Sequence, residues 1–182
     1  MGKLIYITNT SLDGYIEDEK GNFDWLNADQ VHEFITELVR PMQTYLLGRR
    51  LYETMVSWES PMESFPSEQR AFAEVWQKFE KIVFSRTLTD VKGNARLERD
   101  FDVDAIRKLK QESEHDISIG GAEIAGVAIE ANLVDECHLF LYPIIIGGGK
   151  PAFPPGLRRR LELIETSNFS TGVIHVRYRI ST

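Results

Sequence analysis

The chain has 182 residues, of which 42% are hydrophobic and 27% are charged, and its formal net charge is -7. This length and composition predict one globular domain over residues 1–182, and the acidic balance disfavours a general nucleic-acid binder, which usually carries a basic surface. The single cysteine, Cys137, excludes an intramolecular disulfide and favours a reducing compartment. The N-terminus lacks a signal-peptide core, and no apolar run reaches the roughly 20 residues that span a bilayer. We therefore expect a cytoplasmic protein without a membrane segment.

Hydrophobic patterning predicts strands that alternate with helices. The predicted strands, in chain order, are 3–8, 44–47, 81–85, 117–119, 136–146, 161–167 and 173–180. The predicted helices are 28–40, which Pro41 stops, 49–55, 67–79 with Ser67 as its cap, 103–112 opened by Asp102 or Asp104, and 122–130. Residues 17–24 and 56–67 are predicted to be loops. The alternation favours an α/β fold with a mostly parallel sheet, and the last two strands favour an antiparallel edge.

Ligands of parallel sheets bind beyond the carboxyl ends of the strands, so the residues that follow each strand are informative. Gly48, Arg49 and Arg50 follow the second predicted strand and open a helix, which suits a phosphate group, although a tight turn with solvated arginines explains them equally well. Residues 85–87, Ser-Arg-Thr, follow the next strand and suit an adenosine 2′-phosphate, with a capped turn as the alternative.

Two glycine clusters follow later strands. Residues 120–124, Gly-Gly-Ala-Glu-Ile, join a strand to a small-residue helix and suit a pyrophosphate, or else serve close helix–sheet packing. Three glycines at 147–149 lead to Lys150 and Phe153, which would border a mobile loop of the site if the glycines are more than flexible chain. Other chemistries lack their patterns: the four histidines have no metal-ligand spacing, so no metal is predicted, and there is no nucleophile elbow.

The four strand ends, taken in order with the segment after the first strand, resemble the dihydrofolate reductase superfamily. The closer likeness is to the branch that contains the reductase domain of bacterial riboflavin biosynthesis. The segments that carry the resemblance are SLDGYI, LLGRRLYETM, KIVFSRTL and IGGAEIAGVAIEANLVDECHLFLYPIIIGGGKPAF, and they span nearly the whole chain.

The resemblance implies a three-layer fold with a central, mostly parallel sheet of about eight strands. It also implies an NADPH-dependent reductase of a pyrimidine or pterin-like heterocycle, similar to 5-amino-6-(5-phosphoribosylamino)uracil reductase. A homodimer is expected both from the resemblance and from the long apolar strand at 137–146.

Carried onto this chain, the resemblance implies a role for each strand end. Cofactor contacts would come from Thr8, Asn9, Thr10, Gly48, Arg49, Arg50, Ser85, Arg86, Thr87, Gly120, Gly121, Ala122, Glu123, Ile124, Gly147 and Gly148. Substrate contacts would come from Asp13, Trp25, Phe34, Lys150 and Phe153. A reductase must also supply a proton, through an acid or an ordered water. Asp13 is the candidate that would orient the substrate or relay this proton. The alternative is that Asp13 and Gly14 form an ordinary turn.

One departure affects the substrate. Dihydrofolate reductases carry a pterin-binding carboxylate on the first helix, and matching Trp25 and Phe34 to that family places Gln30 there, with Asp29 and Glu33 as possible substitutes. The deaminase domain of the riboflavin enzymes is not present in these residues. Dihydrofolate reductase activity and an inactive nucleotide-binding module therefore stay open as alternatives.

Overall fold

The computed structural model describes residues 1–26 and 28–181. The strands are β1 (Leu4–Ser11), β2 (Tyr15–Glu17), β3 (Thr44–Gly48), β4 (Glu80–Phe84), β5 (Ala95–Glu98), β6 (Ile117–Gly120), β7 (Glu136–Tyr142), β8 (Lys150–Pro151), β9 (Arg160–Asn168) and β10 (Ile174–Ser181). The helices are α1 (Asp29–Val39), α2 (Arg49–Met55), α3 (Ser67–Lys78), α4 (Val103–Glu112) and α5 (Ala122–Glu130), with two 3-10 turns at Val56–Glu59 and Met62–Ser64. Within the described residues, no helix is long and apolar enough to cross a membrane.

Eight of the strands form one sheet in the order β5-β4-β3-β6-β1-β7-β10-β9. The first six are mutually parallel, whereas β10 runs antiparallel to both β7 and β9. The predicted α/β class, the mostly parallel sheet and the antiparallel C-terminal edge are therefore confirmed. The remaining strands, β2 and β8, pair with each other in a separate two-stranded ribbon.

Helices cover both faces of the sheet because side chains of its strands alternate between two apolar layers. Leu4 and Tyr6 of β1 pack with residues of α4 and α5, whereas Ile5 and Ile7 pack on the opposite face with residues of α1 and α3. In the neighbouring half of the sheet, Leu46 and Leu47 divide in the same way. The result is three layers, with the carboxyl ends of the parallel strands along one edge.

The structure corrects several local predictions. The strand predicted to run from residue 136 to 146 ends at Tyr142, because Pro143 has no N–H for the ladder. The strands β2, β5 and β8 were absent from the prediction, and the loop predicted at 56–67 contains both 3-10 turns. Ser67 does not cap α3, whose N-cap position is held by Pro66, whereas Asp102 caps α4 by accepting from two backbone N–H groups.

Strand β7 lies inside the sheet, between β1 and β10. Both of its edges are occupied by ladder hydrogen bonds, so the apolar character of this strand reflects burial within the chain. The long apolar strand therefore does not support a homodimer.

Candidate active site

A groove of about 1260 Å³ runs along the carboxyl ends of β3, β4 and β6. The structure brings together in its walls these residues predicted from the sequence: Gly48, Arg49, Arg50, Ser85, Arg86, Thr87, Gly121, Glu123, Ile124 and Lys150. Parallel strands end at the same edge, which is why residues from separate parts of the chain meet there.

Two glycine backbones face each other in the floor of the groove. Gly121 has a backbone φ of +97°, which residues other than glycine rarely adopt, and it occupies the N-cap position of α5. A Cβ on Gly121 would lie 3.5 Å from the nitrogen of Gly48. No side chain caps α5, so the backbone N–H groups of its first turn are left for another acceptor. A phosphate fits this arrangement of bare backbone and helix N-terminus.

Four cations that line the groove, Arg49, Arg50, Arg86 and Lys150, contact carboxylates. Within α2, Arg49 lies 3.2 Å from Glu53, whereas Arg50 reaches across to Glu17 of β2 at 3.1 Å. Lys150 of β8 lies 2.7 Å from Glu123 on α5. The Lys150 hydrogen bond and charge, with smaller effects from the two arginines, hold the pKa of Glu123 below its ordinary value. Anionic ligands would have to compete with these carboxylates for their cations.

The ribbon of β2 and β8 forms the wall that the sequence did not predict. Two ion pairs attach this ribbon to the facing helices, from Glu17 to α2 and from Lys150 to α5. Gly149 has φ +131°, and a Cβ there would lie 2.0 Å from the carbonyl oxygen of Glu17, so only glycine permits this approach. Strands of three and two residues leave too short a pattern to detect.

Asp13 holds the glycine-rich turn after β7. Its carboxylate accepts hydrogen bonds from the backbone N–H groups of Gly147, at 2.8 Å, and Ile146, at 3.2 Å. The Ser11 side chain, followed by those two N–H groups, holds the pKa of Asp13 below its usual range. Asp13 is thus an ionised anchor of the turn, and Gly148 lies beside it, against the side chain of Glu19.

The predicted aromatic contacts divide between the two faces of the sheet. Phe34 packs edge-on against Phe140, and Trp25 packs edge-on against Tyr142, both in the apolar layer under α1. Phe153 packs instead against Tyr6 in the layer of α4 and α5. Phe153 thus lies on the opposite face of the sheet from Trp25 and Phe34, and the substrate contacts of all three remain predictions.

The remaining predicted residues lie next to the groove without lining it. Near the carboxyl end of strand β1 lie Thr8, Asn9 and Thr10. The side-chain oxygen of Asn9 is buried and has no hydrogen-bond partner within the described residues. Gly120 and Ala122 are buried, and a Cβ on Gly120 would lie 2.4 Å from Leu51, which indicates close packing rather than ligand contact.

The geometry defines a three-layer α/β protein with a groove of about 1260 Å³ at its strand ends. The RibD C-terminal domain family matches residues 2–175, and the chain belongs to that family. The uncharacterized protein YyaP of Bacillus subtilis (strain 168) is 32% identical over 178 residues, which cover 97% of this chain and 94% of YyaP.

Solved structures share the fold. A putative riboflavin biosynthesis protein from Shewanella sp. PV-4 superposes with a TM-score of 0.75 at 23% identity, over 99% of both chains. Dihydrofolate reductase from Enterococcus faecalis, solved in complex with NADP(H), gives a TM-score of 0.69 at 16% identity, over 100% of this chain and 98% of that one. The deaminase/reductase of Thermotoga maritima gives 0.67 at 16% identity, and this chain covers 57% of it. These likenesses confirm the dihydrofolate-reductase-like fold.

Proposed function

We propose that this protein is an NADPH-dependent reductase of a pyrimidine or pterin-like heterocycle, of the type that reduces 5-amino-6-(5-phosphoribosylamino)uracil. The observation that carries the proposal is the groove in which the uncapped N-terminus of α5 faces arginines from two other strand ends. Membership of the RibD C-terminal domain family supports a reductase, and the cofactor follows from the phosphate-binding character of the groove.

Each part of the groove has a proposed role toward the dinucleotide. The backbone of residues 121–124 binds the pyrophosphate, while Arg49 and Arg50 bind phosphate oxygens on the adenosine side in place of Glu53 and Glu17. The carboxyl end of β1, at residues 8–10, and the turn at Gly147 flank the nicotinamide. When bound, the reduced nicotinamide supplies a hydride.

The protein must also control one proton. A carboxylate whose pKa is held low is a poor acid near neutral pH, so Asp13 serves better as the anchor that keeps the turn at residues 146–147 in place. We therefore assign Asp13 to positioning, and an ordered water to the delivery of the proton.

The first helix favours a pyrimidine substrate over dihydrofolate. Gln30, at the position of the pterin-binding carboxylate, accepts a hydrogen bond from Ser170 at 2.8 Å. The neighbouring acids Asp29 and Glu33 are both exposed. Since a buried carboxylate is what binds a protonated pterin ring, an α1 of this composition favours a neutral heterocycle.

Titration of the purified protein with NADPH, followed by tryptophan fluorescence, tests the proposal. We expect Arg49→Ala to weaken NADPH about tenfold or more, because hydrogen bonds to charged groups contribute about 1.5–3 kcal/mol. Arg40→Ala is the matched control, because Arg40 pairs with Glu37 at the far end of α1. If neither NADPH nor NADH binds, the reductase proposal is wrong.

A substrate panel then separates the two classes of function. Oxidation of NADPH by a ribosylaminopyrimidine, without turnover of dihydrofolate, would establish the proposed reductase. Tight NADPH binding without turnover of any heterocycle would favour the alternative, an inactive nucleotide-binding module, for which Gln30 in place of a carboxylate is the supporting observation.

Cytoplasmic location and homodimerisation remain predictions. The buried free thiol of Cys137 agrees with a reducing compartment. For the dimer, the outer edge of β9 is a better surface than β7, because it exposes Leu161, Leu163 and Ile164. Sedimentation velocity of the protein and of Leu163→Asp would test this assignment.

A further inference from the structure

Beyond β4, Arg86 lines the end of the groove and pairs with Asp100, which lies outside the lining. β4 and β5 are parallel, with Phe84 in register with Glu98, so the residues that follow the two strands meet side by side. There, Nε of Arg86 donates to the carboxylate of Asp100 at 2.8 Å. The two side chains are 81% and 64% exposed, so both are open to a ligand.

The neighbouring polar groups at this corner hold the turn in place. The hydroxyl oxygen of Ser85 accepts from the backbone N–H groups of Leu88, at 3.0 Å, and Thr87, at 3.2 Å. The guanidinium of Arg99 donates to the carbonyl oxygens of Leu88 and Ser85. These bonds fix the turn that carries Arg86, so that its guanidinium can move from Asp100 to a ligand without a change in the backbone.

These two side chains suit the two forms of nicotinamide dinucleotide. NADPH and NADH differ only in the group on the adenosine ribose, which is a 2′-phosphate in one and a 2′-hydroxyl in the other. A guanidinium binds the phosphate through its forked donors, and a carboxylate accepts a hydrogen bond from the hydroxyl. A corner that had only the arginine would favour NADPH alone.

We propose that the Arg86–Asp100 pair lets this protein use both cofactors, with Asp100 limiting its preference for NADPH. Arg86 leaves Asp100 to bind a 2′-phosphate, whereas Asp100 accepts from a 2′-hydroxyl while Arg86 stays beside it. This proposal rests on the proposed function of the groove, because it requires the adenosine to lie beyond β4.

Dissociation constants for NADPH and NADH, measured by fluorescence titration without substrate, test the proposal. We expect the two constants of the wild type to lie within about tenfold of each other. Asp100→Asn should tighten NADPH about two- to fivefold, the range of exposed charge pairs, and should weaken NADH. Arg86→Gln should weaken NADPH about tenfold and leave NADH nearly unchanged. Glu37→Gln, which removes the same charge from the exposed Arg40 pair, should change neither constant.

The outcomes separate this proposal from the function on which it rests. Binding of neither cofactor would refute the reductase itself. Binding of both, with a ratio of dissociation constants that neither Asp100→Asn nor Arg86→Gln alters, would leave the reductase intact and overturn the role of the pair. A wild-type preference for NADPH above about tenfold would likewise overturn it, because Asp100 would then not limit the preference that Arg86 gives.

Discussion

Acidification should destabilise this fold through His138, a histidine of β7 that is 2% exposed. Its Nδ1 lies 3.0 Å from Nε2 of His175, and its Nε2 has no hydrogen-bond partner within the described residues, with the Glu136 carboxylate 4.0 Å away. Burial, followed by the neighbouring His175, lowers the pKa of His138 from 6.5 to about 4. The native protein therefore keeps this ring neutral at a pH where the unfolded chain protonates it.

The sign and size of the effect follow from these two pKa values. Above about pH 6.5 the ring is neutral in both states and has no influence on stability. As the pH falls below 6.5, the ring is protonated in the unfolded state but stays neutral in the native state, so stability is lost progressively until about pH 4. One pKa unit corresponds to about 1.4 kcal/mol, which places the full loss at about 3 kcal/mol.

Urea unfolding of the wild type and of His138→Gln, between pH 7.5 and 4, measures this contribution. The variant keeps a polar group beside His175 but cannot take up the proton. Between pH 7.5 and 4, the free energy of unfolding of the wild type should therefore fall by about 3 kcal/mol more than that of the variant. His115→Gln is the control, because His115 is exposed. Parallel stability profiles for the wild type and His138→Gln would refute the reasoning.

Three further changes test separate parts of the structure. Gly149→Ala should lower the free energy of unfolding by about 1–3 kcal/mol, because the new Cβ would overlap a carbonyl of β2. Gly147→Ala should cost less, because Gly147 has a positive φ but no atom near the position of a Cβ, and urea titration of both variants measures the difference. Lys81→Met should cost about 3–5 kcal/mol by leaving the Glu59 carboxylate, 3.0 Å away, without its partner, and Lys81→Met with Glu59→Gln should recover part of that loss in the same assay. Cys137 is buried, and burial raises the pKa of its thiol to about 12, so it should react with Ellman's reagent only as the protein unfolds; rapid labelling of the native protein would contradict this.

The order of strands and helices could be predicted from the sequence because it depends on local patterns. Val31, Phe34, Ile35 and Leu38 recur at helical spacing, and they place α1 on the sheet. Glycines mark the ends of β3 and β6, and Gly121 after β6 has a positive φ that few other residues adopt. The position of the groove was therefore predictable, together with the glycines of its floor.

The ion pairs of Arg50 and Arg86 could not be predicted, because each pair joins segments that are far apart in sequence. Glu17 meets Arg50, and Asp100 meets Arg86, only after the sheet has brought their strand ends together. The sequence could indicate that arginines follow these strands, but the carboxylates that compete for them carry no local signal.

Tertiary packing also decided on which face of the sheet each aromatic side chain lies. Phe153 and Phe34 were both predicted to contact the substrate, and the structure places Phe153 against Tyr6, on the side of the sheet opposite to Phe34. Periodicity says that a residue is buried but leaves open which apolar layer receives it, because a connection of irregular backbone can deliver its side chain to either. The composition and local patterns of this chain determined its fold class and its strand ends, whereas long-range packing decided which charges and aromatic rings meet there.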